Sequence, residues 1–161
     1  GNITAYWRGF TAAHAAGTAS RLPRMAGFQA AGAAPLVSGA PVPNPETIAT
    51  AIRIGNPASW AGAIAARDES GGMIGAVSDA EILRAQEAIV RLAGIFVEPA
   101  CAAPIAGLRN AIASGAIDGS SRIVAVMTGF GLKDPDSASR LIGEIRTAPA
   151  TLAGVRAALG W

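Results

Sequence analysis

Three short stretches of the sequence place small or polar residues where a ligand could be held. The first is Gly1-Asn2, which directly precedes apolar residues at helical spacing over positions 3–10. A helix start presents free backbone N–H groups and the positive end of the helix dipole, and both attract anions. The pair therefore indicates either an anion-binding site or an ordinary helix cap, with Asn2 as the capping residue.

The other two stretches follow predicted strands. Glu98 comes directly after the apolar residues 95–97, so its carboxylate either faces a pocket or caps the next helix. Thr128 ends the predicted strand 122–128, whose residues 123–127 are apolar, and Gly129 and Gly131 after it permit a tight turn and close backbone approach. The spacing of a Walker phosphate loop is absent, so this turn either contacts a ligand or is satisfied internally.

Several other kinds of chemistry lack the residues they need. Lys133 is the only lysine, so chemistry that requires a side-chain amine must use it or sequence outside this chain. His14 is the only histidine, and without a second one we expect no metal site. Cys101 is the only cysteine, so it cannot form an internal disulfide, which fits a cytoplasmic protein.

Composition excludes further classes. Of the 161 residues, 51% are hydrophobic and 15% are charged, which is unlike a disordered chain. The net charge of +2, without a basic run, gives no reason to expect nucleic acid as a partner. No apolar run approaches the roughly 18 residues that a membrane span needs, so we expect no membrane partner.

Helix and strand signals alternate along the chain, which predicts an α/β fold with part of an open, mostly parallel sheet and flanking helices. The run 122–128 is apolar on both faces and is predicted to be a central strand. The Ser78 and Glu81 pair predicts a capping box at the start of a helix over 79–92. The other predicted strands are 25–30, 75–77 and 95–97, and the other predicted helices are 2–14, 44–54, 59–68, 102–114 and 149–159. Ligands of such sheets bind beyond the carboxyl ends of the strands.

Seven segments, in this order, resemble the C-terminal part of the threonine synthases, which are pyridoxal-phosphate enzymes of the tryptophan-synthase β-like fold. They are GNITAYWRGF, RMAGFQAAGAAP, NPETIATAIRIGNPASW, RDESGG, VSDAEIL, FVEPA and TGFGLKDP, and they extend to about residue 136. The resemblance implies that residues 1–161 are the C-terminal portion of the large domain of a fold-type II enzyme, which binds pyridoxal 5'-phosphate. The part that bears the cofactor-binding lysine would lie upstream.

The resemblance also implies roles for individual residues. Gly1 and Asn2 match the last two residues of the family's Gly-Asn-x-Gly-Asn loop, which holds the cofactor phosphate. Thr128 matches the hydroxyl residue that bonds the pyridine nitrogen, and Glu98 matches an acid at a strand end near the same pocket. The sequence departs from the family at Cys101, where serine is common, and at Phe130, where asparagine is common.

The activity implied for the whole protein is conversion of O-phospho-L-homoserine and water to L-threonine and phosphate by a cytoplasmic homodimer. No catalytic residue is assigned to this chain, which we predict to be inactive alone, with apolar faces or sheet edges left exposed. One alternative is another enzyme of this fold, such as a threonine dehydratase or cysteine synthase, although RIGNPASW disfavours it. Another is a non-catalytic module for assembly or partner binding.

Overall fold

A computed structural model of the chain describes residues 1–136 and 147–161. The α-helices in these ranges are α1 (Asn2–Ala15), α2 (Pro35–Ser38), α3 (Trp60–Glu69), α4 (Asp79–Ala93), α5 (Pro99–Ala113) and α6 (Leu152–Leu159). The strands are β1 (Ala26–Ala30) and β2 (Met73–Val77), and short 3-10 turns cover Ala31–Ala33, Thr50–Ile52 and Gly131–Lys133. The predicted α/β class is confirmed, with helices packed around a small parallel sheet.

The sheet is formed by β1 and β2, which run parallel in a register from Ala26 opposite Met73 to Ala30 opposite Val77. Residues 31–72 make the crossover that parallel strands require, and α3 is its longest helix. Both strands lie within a residue or two of their predicted positions. Their carboxyl ends, at Ala30 and Val77, are buried.

Helix α1 packs on α3 through small and aromatic side chains. Trp7 is the buried residue of α1, and its indole Nε1 donates a hydrogen bond to Glu69 Oε2 at 2.6 Å. In α3, a Cβ on Gly62 would lie 2.6 Å from Thr4 Cγ2, so the two helices approach more closely than a larger residue allows. This contact fixes the direction of the first turn of α1 against the crossover.

Helix α5 packs on the sheet and α4 packs on α5, and together they supply most of the core. The predicted capping box is present, because Ser78 Oγ accepts from the Glu81 N–H and Glu81 Oε2 accepts from the Ser78 N–H. Gly107 of α5 lies under the ring of Phe28 in β1, where a Cβ would come within 2.0 Å of Phe28 Cδ1. The main core cluster is rich in alanine and comprises Ala30, Ala49, Val77, Ile82, Ala85, Ile89, Val97, Cys101, Ala102, Ala103 and Ala106.

The predicted helix over 44–54 is wrong, because only Thr50–Ile52 forms a 3-10 turn there. The backbone groups of this segment find distant partners instead of helical ones. The Glu46 N–H donates to Gly32 O at 3.0 Å, and the Ile48 N–H donates to Asp79 Oδ2 at 3.0 Å. Thr47 is buried and donates from Oγ1 to Asp79 Oδ1, so the segment crosses the start of α4 in an irregular conformation.

Two predicted strands are also wrong. Within 95–97, Val97 forms a single antiparallel bridge with Phe130, and residues 122–128 form no strand. Val124 is 83% exposed and Val126 is 46% exposed, so the run that was expected to be a central strand lies at the surface. In the described part of the chain no strand lies beside it, and β-forming residues need a partner strand before their propensity takes effect.

Candidate active site

Glu98 and Thr128, 30 positions apart in the sequence, are brought together around Cys101. The Cys101 sulfur lies 3.2 Å from Thr128 Oγ1 and 3.8 Å from Glu98 Oε1. The Gly129 N–H donates to the same sulfur at 2.7 Å. Cys101 is 3% exposed, whereas Thr128 is exposed, so the cluster has a buried interior and a hydroxyl at its surface.

Backbone hydrogen bonds join the two loops of this cluster, residues 96–98 and residues 129–131. The Glu98 N–H donates to Gly129 O at 3.1 Å, and the Gly131 N–H donates to Phe96 O at 3.1 Å. The rings of Phe96 and Phe130 meet edge to face with centroids 5.8 Å apart. Both loops therefore keep a fixed relative position without a longer sheet.

Gly129 and Gly131 are required here by space. A Cβ on Gly129 would fall 2.0 Å from Glu98 Oε1, and one on Gly131 would fall 2.4 Å from Phe96 Cζ. Neither glycine has a positive φ, so the constraint is close approach and not backbone conformation. The sequence predicted a tight turn and close backbone approach at these glycines, and in this structure the groups that approach them are the side chains of Glu98 and Phe96.

Glu98 is the N-cap residue of α5, but its side chain makes no capping hydrogen bond. Instead the carboxylate is buried, with the residue 8% exposed, and lies against Gly129 and the Cys101 sulfur. The alternative that this carboxylate caps the helix is therefore wrong, and the structure places it inside the cluster. Pro99 begins α5 at a position where a missing N–H costs nothing.

Gln86 also supports the cluster, and the sequence analysis missed it. This residue of α4 is 1% exposed, and its Nε2 donates to Val97 O at 2.7 Å, next to Glu98. Its Oε1 is buried without a hydrogen-bond partner. The signal was a polar residue between Ile82 and Ile89 on the buried face of α4, where an unpaired amide is costly.

Gly1 and Asn2 lie at the other candidate position, the start of α1. The N-cap is Gly1, not Asn2 as expected, and no side chain caps the helix. The first helical hydrogen bond runs from the Ala5 N–H to Gly1 O, so the N–H groups of residues 2–4 have no partner within the helix. A cavity of about 140 Å³ adjoins this helix start, and Gly1, Phe28, Gln29 and Ser59 contribute to its wall.

The structure does not join these two positions directly. In residues 1–136 and 147–161, no hydrogen bond or ion pair links Gly1 or Asn2 to Glu98 or Thr128. The two positions offer complementary groups, namely unpaired N–H groups and a surface hydroxyl.

The described residues contain no metal-binding cluster and no membrane-spanning helix. The described ranges hold no group of three or more His, Cys, Asp or Glu side chains placed to bind a metal ion. None of the helices that the structure describes is long and apolar enough to span a bilayer.

The structure defines an α/β unit with a small parallel sheet and flanking helices, and comparison with known proteins identifies the class of protein to which it belongs. Residues 1–129 match the family model described as pyridoxal-phosphate dependent enzyme. The match covers more than half of the chain, so the chain belongs to this family, whose members use pyridoxal phosphate.

Individual relatives narrow the class further. The chain is 54% identical over 160 residues to a protein named threonine synthase from Mycobacterium leprae and 53% identical over 160 residues to one from Mycobacterium tuberculosis. Each alignment covers 99% of this chain and 44% of the relative. A threonine synthase from Methanocaldococcus jannaschii is 50% identical over 148 residues, covering 87% of this chain and 36% of that protein. The predicted resemblance is confirmed, and the chain spans less than half the length of these relatives.

Among solved structures, the crystal structure of a threonine deaminase from T.th. is similar to part of this chain. The similarity covers 65% of this chain and 39% of the deaminase chain, with 23% sequence identity and a TM-score of 0.46.

Proposed function

We propose that residues 1–161 are the C-terminal portion of the cofactor-binding large domain of a threonine synthase. The parent reaction converts O-phospho-L-homoserine and water to L-threonine and phosphate. The observation that carries this proposal is the identity of 54% to a threonine synthase across 99% of the chain. Proteins that share only a fold often have different activities, whereas this similarity in sequence extends over nearly the whole chain.

The residues of the chain have distinct roles in this proposal. Gly1 and Asn2 hold the cofactor phosphate, since the unpaired N–H groups at the start of α1 suit an anion. Thr128 offers its hydroxyl to the pyridine nitrogen, and the burial of Cys101 behind it keeps that hydroxyl at the cluster surface. The buried Glu98 side chain packs against Gly129 and so holds the turn that contains it.

When bound, pyridoxal phosphate withdraws electrons from the substrate carbons and so stabilises negative charge that develops there. The protein tunes that capacity through the group it places at the ring nitrogen. A neutral hydroxyl such as Thr128 leaves the nitrogen largely unprotonated, whereas a carboxylate would favour its protonation. Thr128 therefore moderates the electron withdrawal in this proposal.

The proton-transferring amine must come from the remainder of the parent protein. Lys133 is exposed at the end of the 3-10 turn Gly131–Lys133, beyond the Thr128 side of the cluster, and we assign it no catalytic role. We further propose that the parent is a cytoplasmic homodimer. A second copy and the remainder of the parent would together cover the apolar surface of this chain.

The activity of the whole protein and of this chain can be measured separately. With pyridoxal phosphate and O-phosphohomoserine, the full-length protein is expected to release threonine and phosphate in equal amounts, and the purified 161-residue chain to release neither. Threonine formation by the shorter chain would contradict the predicted inactivity. Turnover of threonine or O-acetylserine in place of O-phosphohomoserine would identify another enzyme of this fold. A full-length protein that binds no cofactor and turns over none of these substrates would instead indicate a non-catalytic module.

A further inference from the structure

The buried indole of Trp7 joins α1 to α3 through a directional bond. Trp7 is 6% exposed, and its Nε1–H group donates to Glu69 Oε2 at 2.6 Å. A buried indole N–H needs an acceptor, and a carboxylate is a stronger acceptor than a neutral oxygen. In residues 1–136 and 147–161, no other hydrogen bond between side chains links α1 to another element.

Glu69 stands at a position where its own helix does not favour an acid. It is the last residue of α3, and the negative end of the helix dipole repels a carboxylate there. The hydrogen bond to Trp7 is the contact that an acid gains at this position. This observation indicates that Glu69 serves the attachment of α1 and not the stability of α3.

Two packing contacts of α1 lie about one turn before Trp7. Ile3 Cδ1 lies 3.3 Å from the Cβ position of Gly27 in β1, and Thr4 Cγ2 lies 2.6 Å from that of Gly62 in α3. Contacts between apolar groups are non-directional, so they constrain a small slide or rotation of α1 less than a hydrogen bond does. Because the helix is rigid and its start lies about 7.5 Å from Trp7 along the axis, the bond also fixes where that start lies.

The cavity of about 140 Å³ beside the start of α1 lies between the same two helices. Gly1 and Ile3 contribute to its wall on the α1 side, and Ser59 and Ala63 contribute on the α3 side. The N–H groups of residues 2–4, which have no partner within the helix, belong to the same helix start. The spacing of α1 and α3 therefore sets both the width of the cavity and the position of these donors.

We propose that Trp7 and Glu69 are positioning residues that hold the start of α1 in place for the phosphate group of the cofactor. The inference rests on the proposed function, because it requires that Gly1 and Asn2 hold that phosphate. Neither positioning residue contacts the phosphate, since the pair acts through the backbone of α1. Hydrogen bonds weaken steeply when their donors are misaligned, so loss of the pair weakens phosphate binding and spares the contact of Thr128 with the pyridine ring.

The test compares two ligands of the full-length protein, pyridoxal 5'-phosphate and pyridoxal, which lacks the phosphate. Dissociation constants are measured from absorbance and fluorescence, and each variant is compared with the natural protein for the same ligand. Trp7→Phe and Glu69→Leu are each expected to weaken binding of pyridoxal phosphate about fivefold, the scale of an anion's interaction with a helix start, and to leave pyridoxal binding within about twofold. Glu69→Gln keeps an acceptor oxygen and should stay within about twofold for both ligands. The double variant Trp7→Phe with Glu69→Leu should equal Trp7→Phe alone, because both substitutions remove the same bond.

Two controls separate positioning from the loss of an indole or of stability. Trp161→Phe makes the same substitution at a tryptophan that is 85% exposed, and it should leave both affinities unchanged. Ile89→Val, a buried change in α4, should lower the free energy of unfolding and leave the affinity for each ligand within about twofold. Urea denaturation measures the stability of every variant in parallel.

Other outcomes overturn the inference. Equal weakening of both ligands by Trp7→Phe, or weakening of neither, would show that the pair does not act on the phosphate. A Glu69→Gln variant as weak as Glu69→Leu would show that the acceptor oxygen is not what matters, and selective weakening by Ile89→Val would show that lost stability alone reproduces the effect. Effects that multiply in the double variant would show two independent contributions.

The natural protein itself separates this inference from the proposed function. If it binds pyridoxal as tightly as pyridoxal phosphate, the phosphate role of Gly1 and Asn2 fails together with that of Trp7 and Glu69. If it prefers pyridoxal phosphate and the variants keep that preference, the positioning role alone fails. Threonine formation by the full-length protein tests the proposed function separately.

Discussion

At the scale of single residues, Gly129 is the position where the candidate site tolerates least change. Its Cβ position is 2.0 Å from Glu98 Oε1 and 2.3 Å from Glu98 Cδ, and the Glu98 side chain is buried. Gly129→Ala therefore requires the carboxylate or the turn to move. We expect a loss of about 1–3 kcal/mol in the free energy of unfolding, measured by urea denaturation.

Gly9 is the matched control for this change. It lies inside α1, is exposed, and has nothing within 4 Å of its Cβ position. Gly9→Ala should raise the free energy of unfolding by about 0.5–1 kcal/mol, because alanine favours the helix. A Gly129→Ala variant as stable as Gly9→Ala would show that the close approach to Glu98 is not a real constraint.

Some residues of the candidate site could be recognised from the local sequence, and others could not. Glu98, Thr128, Gly129 and Gly131 were recognisable from the sequence because each follows an apolar run at a turn, and that context is local. Gln86 was not, because its role depends on a carbonyl at Val97 that only the packing of α4 places within 2.7 Å. The hydrogen bonds of Cys101 depend in the same way on a residue 27 positions away.

At the scale of elements, helix α4 was predicted to within one residue of its end, and its start depends on the ionised Glu81. The Ser78 hydroxyl and N–H and the Asn110 amide donate to the Glu81 carboxylate, and these bonds lower its pKa from 4.5 to about 2. The folded protein thus holds the ionised carboxylate more strongly than the unfolded chain does. This stability is fully present above pH 4.5 and is lost as the pH falls through the range down to about 2.

We expect Glu81→Gln to reduce this pH dependence. The free energy of unfolding near pH 7 should fall by about 1 kcal/mol, a value that allows for solvent screening of a partly exposed group. The difference from the natural protein should shrink between about pH 5 and about pH 2, measured by urea denaturation at several pH values. Ser78→Ala removes the hydroxyl that contributes most to the lowered pKa of Glu81. It should therefore also reduce the pH dependence of the free energy of unfolding in this range. A constant difference at all pH values would argue against the ionised pair.

The segment 44–54 illustrates the limit of prediction at this scale. Its Asn-Pro-Glu start and apolar content are typical of a helix. What overrides these signals is the carboxylate of Asp79, which binds both the Thr47 hydroxyl and the Ile48 N–H from 31 or more positions away. Local signals predict an element only where no tertiary partner competes for its backbone groups.

At the scale of the whole molecule, the chain leaves much apolar surface uncovered, as predicted for the C-terminal portion of a larger enzyme. Leu92 is 88% exposed, Leu132 is 68% exposed and Trp161 is 85% exposed. Helix α6 adds exposed leucine and valine side chains, and β1 pairs only with β2 among the strands in the described ranges. Surfaces of this kind are usually covered by other protein, which agrees with relatives more than twice as long as this chain.

The segment 122–128 offers the sharpest test of that surface. It contains the consecutive apolar residues 123–127 and forms no strand in this structure, although its sequence is typical of a buried one. We predict that its backbone N–H groups exchange with solvent rapidly in the 161-residue chain and slowly in the full-length protein, where a neighbouring strand would pair with it. The N–H groups of β1 and β2 that bond within the sheet serve as the internal control, since they should be protected in both proteins. Equal exchange of 122–128 in the two proteins would mean that its exposure belongs to the fold itself. The apolar run would then need another explanation, such as docking of a second copy of the protein. In that case, dilution of the full-length protein would make the N–H groups of 122–128 exchange with solvent more rapidly.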